Sequence, residues 1–359
     1  MTVITDFTDY ACARTTPIRE VLNRLDQTPH LFQIVLDDRG CVLGTITDGD
    51  VRRAMLRGVE LDDVATACMQ PHPKTGRQSD PQGNLKKLAD VGSSRAFLPV
   101  VNDDGRMVEI LVREPAGAGI ARALVMAGGY GTRLGERTRN TPKPLLEVGG
   151  RPILDHVLSG LEKAGVSAIH VSVHYRADQI RQYLEQRDNR VSVALVEESE
   201  PMGTAGALAH VGGPGRAPLL VVNGDLVTEV DFAALHDFHL RHGLDGTIGA
   251  ARYDIDVPFG VIRYGDDGLF AGIEEKPRIS NFIAAGVYYL SPEFMALVPS
   301  DRPMDMPELL NQGRKIGLKI GLFPIHEYWT DVGRPADLDA ANAAHQDRVF
   351  NPRRAPDDV

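Results

Sequence analysis

Between Thr16 and Arg113 the chain sets out one arrangement of apolar and polar positions twice. In the first copy Ile18, Val21, Leu22 and Leu25 recur at helical spacing. They lead into an apolar run at 33–36, the turn Asp37-Asp38-Arg39-Gly40 and a second run at 42–46. The second copy passes from 84–88 to the run 97–101, the turn Asn102-Asp103-Asp104-Gly105 and the run 107–112. Polar residues closed by Gly between two apolar runs spell a hairpin, because Gly accepts the positive φ that such turns need. The repeat predicts a smaller α+β domain in which two units bury each other's apolar faces.

After the small-residue stretch 115–119, which reads as a linker, the pattern changes. Apolar strands are predicted at 123–126, 168–173, 191–196, 219–223 and 247–251. Helices between and around them are predicted at 178–185, 204–209 and 231–241, with Ile153, Leu154, Val157, Leu158 and Leu161 sharing one face of another. Such alternation predicts an α/β domain with a Rossmann-like, mostly parallel sheet, whose ligands lie beyond the C-terminal ends of the strands. The expected organisation is therefore a repeat domain at 1–114, the linker, an α/β domain at 120–345 and a tail at 346–359.

Composition narrows the function classes. A net charge of −10 over 359 residues argues against broad nucleic-acid binding, which needs a basic face. Three cysteines, Cys12, Cys41 and Cys68, form no Cys-x-x-Cys pair, so neither a disulfide framework nor a thiolate zinc site is expected. No secretory signal or membrane-length apolar run is visible, and the expected location is the cytoplasm.

The first α/β strand runs into Ala127-Gly128-Gly129-Tyr130-Gly131-Thr132-Arg133-Leu134. Glycines let backbone N–H groups approach phosphate without a Cβ in the way. The loop is neither the dinucleotide fingerprint, because Leu134 stands where its third Gly belongs, nor a P-loop, because no Lys-Ser or Lys-Thr pair follows. It offers Arg133 instead, and then Lys143 held stiffly between Pro142 and Pro144. Two cations beside a glycine loop suit a triphosphate. Asp225 and Asp331, each after an apolar stretch, are candidate oxygen ligands for Mg²⁺, which takes a few carboxylates and substrate phosphates. The small residues around Gly203 and Thr204 allow flat packing of a base or close helix–sheet packing.

The run from Leu124 to Leu134, with Pro142-Lys143-Pro144-Leu145-Leu146-Glu147-Val148-Gly149-Gly150-Arg151-Pro152-Ile153-Leu154 after it, resembles the signature of the sugar nucleotidyltransferases, and Phe323-Pro324-Ile325-His326-Glu327-Tyr328-Trp329 with Asp305-Met306-Pro307-Glu308-Leu309 upstream resembles a two-module subgroup made up mainly of sugar-1-phosphate guanylyltransferases. The resemblance implies an enzyme in nucleotide-sugar biosynthesis that condenses an NTP, GTP foremost, with a sugar 1-phosphate. Ala127, Gly128, Gly129, Gly131, Thr132, Gly203 and Thr204 would bind the nucleotide, and Arg133, Lys143 and Lys276 would serve catalysis. Asp225 and Asp331 match the family's metal ligands, and Glu275 and Gly286 would border the sugar. Two departures stand out: Glu136 replaces a common Pro, and Ala284 a common Asn beside the sugar. The run 42–53 resembles the closing motif of a cystathionine-β-synthase-type (CBS) domain, within a tandem pair. The resemblance implies that Thr47 and Asp48 contact the ribose of an adenine nucleotide and that the chain forms a homo-oligomer. The second copy has Leu111-Val112-Arg113-Glu114 at the matching place. The rival reading is a non-catalytic adenine-nucleotide sensor with a decayed transferase domain.

Overall fold

A computed structural model describes residues 1–91, 96–113, 119–211 and 217–350, with side chains through 346. It divides the chain into two units, one of Met1–Gly119 with Ala233–Leu244, the other of Ile120–Phe232 with Asp245–Val359. The division falls at 119/120, and 233–244 groups with the N-terminal unit. The expected linker falls almost entirely outside the described residues. The last helix, Pro335–Phe350, runs on past the expected domain end at 345, and 351–359 are likewise outside the described residues.

The N-terminal unit follows the repeat. Helix Ile18–Gln27 buries Ile18, Val21, Leu22 and Leu25, the four positions at helical spacing. Strands Phe32–Leu36 and Val42–Thr47 pair antiparallel, as do Ala96–Val101 and Met107–Arg113. The two turns are built alike. Gly40 and Gly105 sit at φ of 80° and 79°, and the side chains of Asp37 and Asn102 each accept two backbone N–H groups of their own turn. The copies also exchange edges. Thr2–Ile4 joins the second copy's sheet, and Gln70–Pro71 joins the first copy's sheet. Neither sheet is complete without the other copy's stretch of chain, so the repeat folds as one body. Burial pushes the Cys12 and Cys68 thiols up to about 11 and about 12, so both stay protonated and unreactive near neutral pH.

The second unit is built on a seven-stranded sheet: β1 Arg122–Met126, β2 Ala168–Val173, β3 Ser192–Glu197, β4 Leu219–Asn223, β5 Gly246–Asp256, β6 Arg278–Leu290 and β7 Ile320–Ile325. The spatial order is β3-β2-β1-β4-β6-β5-β7. Strands β3, β2, β1 and β4 are parallel, β6 runs against both its neighbours, and β5 and β7 are again parallel. Continuous burial along Ala123–Val125 and Leu219–Val222 is the mark of strands covered on both faces. Helix Ile153–Lys163 turns Ile153, Leu154, Val157, Leu158 and Leu161 inward, and Ala177–Gln186 buries Ile180 and Leu184. The helix predicted at 204–209 is a short turn, Gly203–Gly206, followed by a 3₁₀ turn. Because chain order reverses between β1 and β4, the crevice for a ligand opens where those two strands end.

Candidate active site

Strand β1 ends at Met126 and β4 at Asn223, and the chain beyond each is fastened to a neighbouring strand, β2 and β1 respectively. The Gly224 N–H donates to the Met126 carbonyl at 2.8 Å, and the Ala127 N–H donates to Ser172 O at 2.9 Å. Gly224 is needed here for space: a Cβ would lie 2.8 Å from the Met126 carbonyl oxygen and 3.1 Å from the Ala127 Cβ. A Cβ at Gly129 would meet nothing within 4 Å, so that glycine is not explained by packing. Gly131 turns the loop at φ 65°, and the Thr138 hydroxyl donates to the Gly131 carbonyl at 2.9 Å, which closes it. Arg133, in the 3₁₀ turn that follows, is exposed and makes no hydrogen bond or ion pair among the described residues.

Two distant stretches bring the aspartates together. Leu226–Thr228 pairs antiparallel with Trp329–Asp331, Leu226 opposite Asp331, and the Val332 N–H donates to the Asp225 carbonyl at 3.1 Å. Register alone therefore sets Asp225 beside Asp331 at the end of β4. Lys143, buried in the 3₁₀ turn Lys143–Leu145, donates to Asp225 Oδ2 at 2.5 Å and to Asp331 Oδ1 at 3.4 Å. Asp225 Oδ1 is buried and has no partner among the described residues. Burial, with the Asp225 carboxylate behind it, pushes the Asp331 carboxyl above its ordinary range; Lys143 and, more weakly, Arg133 pull the other way. Arg133 thus acts on the same cluster from a greater distance.

A second wall holds the residues around Gly203. Gly203 sits at φ 77°, and a Cβ there would press on the Met304 carbonyl at 2.6 Å. The Thr204 N–H and hydroxyl both engage Asp305 Oδ1, and the hydroxyl accepts the Met306 N–H at 2.8 Å. Thr204 is thus committed to the chain itself, which favours the close-packing reading of these small residues.

Between this wall and the glycine loop lie residues that the sequence analysis missed. Glu198 accepts the Met202 N–H at 3.2 Å and stands 3.5 Å from where a Gly128 Cβ would be, as does His174. The His174 Nδ1 lies 2.8 Å from the Glu198 carbonyl oxygen and must carry a proton there, so in the neutral ring Nε2 accepts from the Tyr130 hydroxyl, 3.0 Å away. Tyr130 is the one side chain of the glycine stretch large enough to stack on a base. Its size was the available signal.

Of the sugar-side residues, Gly286 adjoins the end of β4. Glu275 and Lys276 are exposed, Lys276 at φ 47°, a strained value for a residue with a side chain, and neither forms an ion pair with the aspartates among the described residues. Gly286, at φ 70°, makes room for Asn223: a Cβ would lie 2.6 Å from its side-chain nitrogen. In the N-terminal unit Thr47 caps helix Asp48–Met55, its N–H and hydroxyl both bonded to Asp50 Oδ2, while Asp48 accepts the buried Arg52 guanidinium at 2.7 Å. Both expected ribose contacts are engaged internally.

Comparison with known proteins places this architecture. The profile of the CBS domain matches residues 5–57, and that of the nucleotidyl transferase family matches residues 122–348. The mannose-1-phosphate guanylyltransferase catalytic subunit beta of Drosophila pseudoobscura pseudoobscura is 34% identical over 224 residues, 60% of this chain and 60% of that protein. The mannose-1-phosphate guanyltransferase of Saccharomyces cerevisiae is 35% identical over 229 residues, 60% of this chain and 62% of its own length. The chain thus spans about three fifths of these relatives. HddC from Yersinia pseudotuberculosis, solved in complex with GMP-PN, superposes with a TM-score of 0.50 at 27% identity, over 63% of this chain and all of that one. With the sheet order, the glycine loop and the profile match over most of its length, the chain belongs to the nucleotidyl transferase family and carries a CBS domain at its N-terminus.

Proposed function

We propose that this chain transfers a guanylyl group from GTP to a sugar 1-phosphate, mannose 1-phosphate first among candidates, and releases pyrophosphate. The observation that carries the reading is Lys143 bridging Asp225 and Asp331 at the crevice between β1 and β4. The activities by which the relatives are known supply the nucleotide and the sugar.

The aspartate pair fits a hard divalent cation. Both ligands are carboxylates, one oxygen is buried without a partner, and a cationic side chain already compensates their charge. Asp225 and Asp331 would hold Mg²⁺, whose chemistry when bound is to neutralise triphosphate charge. The other roles fall to the chain. Backbone N–H groups of 128–132 cradle phosphate, the Ala127 N–H being held by the Ser172 carbonyl, and Arg133 and Lys143 meet the charge of the triphosphate and departing pyrophosphate. Glu198, Tyr130 and the Gly203 turn bound the base. Glu275 and Gly286 border the sugar, and Lys276 orients its phosphate. An oxygen of the sugar phosphate attacks the α-phosphorus in line. That oxygen is already anionic, so no side chain has to remove a proton, and positioning with electrostatics carries the rate.

The intact charged cluster disfavours the decayed-sensor reading. Adenine nucleotide binding at Thr47 and Asp48 would have to share those side chains with the capping box and the Asp48–Arg52 pair; calorimetry with AMP and ATP on the whole chain tests it. A cytoplasmic location and a homo-oligomeric assembly complete the reading, and no described helix is long and apolar enough to cross a membrane. The deciding experiment is pyrophosphate release across a matrix of four NTPs and several sugar 1-phosphates. Turnover confined to GTP with a hexose 1-phosphate is expected; no release with any pair would overturn the proposal.

A further inference from the structure

Arg133 forms no hydrogen bond or ion pair among the described residues, so its reach is set by the backbone of the turn that carries it, Thr132–Thr138. That turn is in two pieces. Gly135, at φ 57° and ψ −126°, breaks the 3₁₀ winding between them. The Thr138 hydroxyl lies across the break, 2.9 Å from the Gly131 carbonyl oxygen and 3.2 Å from that of Gly135. Whatever fastens the second piece therefore steadies Arg133.

Arg137, beside Thr138, does the fastening. Its guanidinium donates to both carboxylate oxygens of Asp339, at 3.0 and 3.1 Å, and to the Pro335 carbonyl at 3.4 Å. A bidentate pair of this kind fixes orientation as well as distance, because a planar guanidinium meets a planar carboxylate along two bonds. On the loop's other side Arg176 donates to the Arg139 carbonyl at 2.7 Å and Gln179 to the Asn140 carbonyl at 3.0 Å, which ties it to the chain after β2. Among the described residues, only the hydrogen bonds of Arg137 tie this loop to the chain that follows Asp331.

The last helix, which supplies Asp339, is firmly placed. It starts at Pro335, soon after Asp331, and between them the Gly333 N–H donates to the Asp331 carbonyl at 2.9 Å. Leu338 and Ala341 pack with Val148, Ile153 and Val332. Asn342 accepts the Gly149 N–H at 3.0 Å, and a Cβ at Gly149 would strike the His345 ring. One helix thus meets the chain after Asp331, the turn behind Arg133 and the hairpin Glu147–Pro152 that follows Lys143. Arg133 already draws on the Asp331 carboxyl, so the two lie within electrostatic reach in the resting protein.

We propose that Asp339 is a positioning residue for the transfer: through Arg137 it holds the turn bearing Arg133 in a set place relative to the Asp225–Asp331 pair. The role presupposes the triphosphate site proposed above. With side chains 39% and 66% exposed, the Arg137–Asp339 pair adds little to folding stability. What it does is order a loop before the substrate arrives, so that an otherwise unheld cation is already aimed when charge develops on the phosphates.

The test is calorimetric titration of the full chain with GTP and Mg²⁺ in the absence of a sugar phosphate, followed by steady-state kinetics with mannose 1-phosphate. Asp339→Ala is expected to weaken GTP binding and raise the KM for GTP about 2- to 5-fold, the scale of one exposed ion pair. The KM for the sugar phosphate and the melting temperature are expected to stay near wild type. In an Arg133→Ala background the Asp339→Ala change is expected to add nothing, because the group it positions is gone. GTP binding by Asp339→Ala equal to wild type would overturn the proposal, as would an undiminished further loss in the Arg133→Ala background. A wild type that binds no nucleoside triphosphate would instead overturn the transferase reading, and this role with it.

Discussion

Replacing Lys143 with Met should change metal binding and turnover in opposite directions. Its ammonium is 2.5 Å from Asp225 Oδ2 and 3.4 Å from Asp331 Oδ1, with the lysine side chain only 9% exposed. In the resting protein it is thus the cation of the aspartate pair. A divalent ion that uses both carboxylates must loosen these contacts, and a charge-assisted hydrogen bond in such surroundings is worth about 1.5–3 kcal/mol. At about 1.4 kcal/mol per tenfold, Lys143→Met should bind Mn²⁺ about 10- to 100-fold more tightly without nucleotide. The full Coulomb term is larger, about 4 kcal/mol for unit charges 4 Å apart at an effective dielectric of 20, so the forecast is a lower bound. Calorimetric titration of nucleotide-free protein with Mn²⁺ reads the affinity. The same variant should also show a melting temperature that falls without metal and recovers with it, because two neighbouring carboxylates are then uncompensated. Its turnover should fall about 10²- to 10³-fold, the scale for removing one group aimed at transition-state charge. Unchanged or weaker Mn²⁺ binding in a folded Lys143→Met protein would refute the idea that lysine and metal compete for one carboxylate pair.

Further outcomes follow from other contacts. Asp225→Ala should abolish nearly all Mg²⁺-supported pyrophosphate release while the melting temperature stays within a few degrees of wild type; near-normal turnover would remove Asp225 from the metal site. Gly224→Ala drives a methyl into the Met126 carbonyl and the Ala127 side chain, so denaturant unfolding should show a loss of about 1–3 kcal/mol together with lower activity. Arg187 donates to Asp155 at 2.6 Å and to Glu162 at 2.6 Å in a largely buried trio, and Arg187→Met should cost about 3–5 kcal/mol of unfolding free energy. The Arg187 hydrogen bond holds the Glu162 carboxyl below its ordinary range; Asp155 is also lowered, because its hydrogen bonds from Arg187 and Arg151 outweigh the upward push of burial. A carboxylate lowered by folding stabilises above its unfolded value, so this contribution should be complete above about pH 5 and drain as pH falls through the folded values. Acid titration of the melting temperature should then be shallower in Arg187→Met than in wild type.

How much of this was legible in the chain depends on how local the cause is. Helices Ile18–Gln27 and Ile153–Lys163 turn inward the very residues their spacing marks, and both Gly-closed turns form, because each depends on a few neighbouring residues. The glycine loop was legible for the same reason. Asp225 and Asp331 were singled out by their place after apolar stretches and by resemblance, yet what brings them together is a three-residue antiparallel pairing across more than a hundred positions, which no local pattern records. The Lys143 bridge is likewise a product of that convergence: the flanking prolines advertise a stiff lysine without saying what it meets. His174 and Glu198 went unnoticed because each is unremarkable in its own stretch, and only the parallel register of β2 and β3 sets their chain segments side by side. At 204–209 the small residues suit a helix by spacing, but Gly203 at positive φ and the Asp305 clasp confine the segment to short turns. Strand β5 is the opposite case. Tyr253-Asp254-Ile255-Asp256-Val257 carries its alternation of apolar and charged residues on past Ala251, but a reading that seeks buried strands stops where the sheet's core ends, because beyond it neither face of the β5–β6 pair is covered.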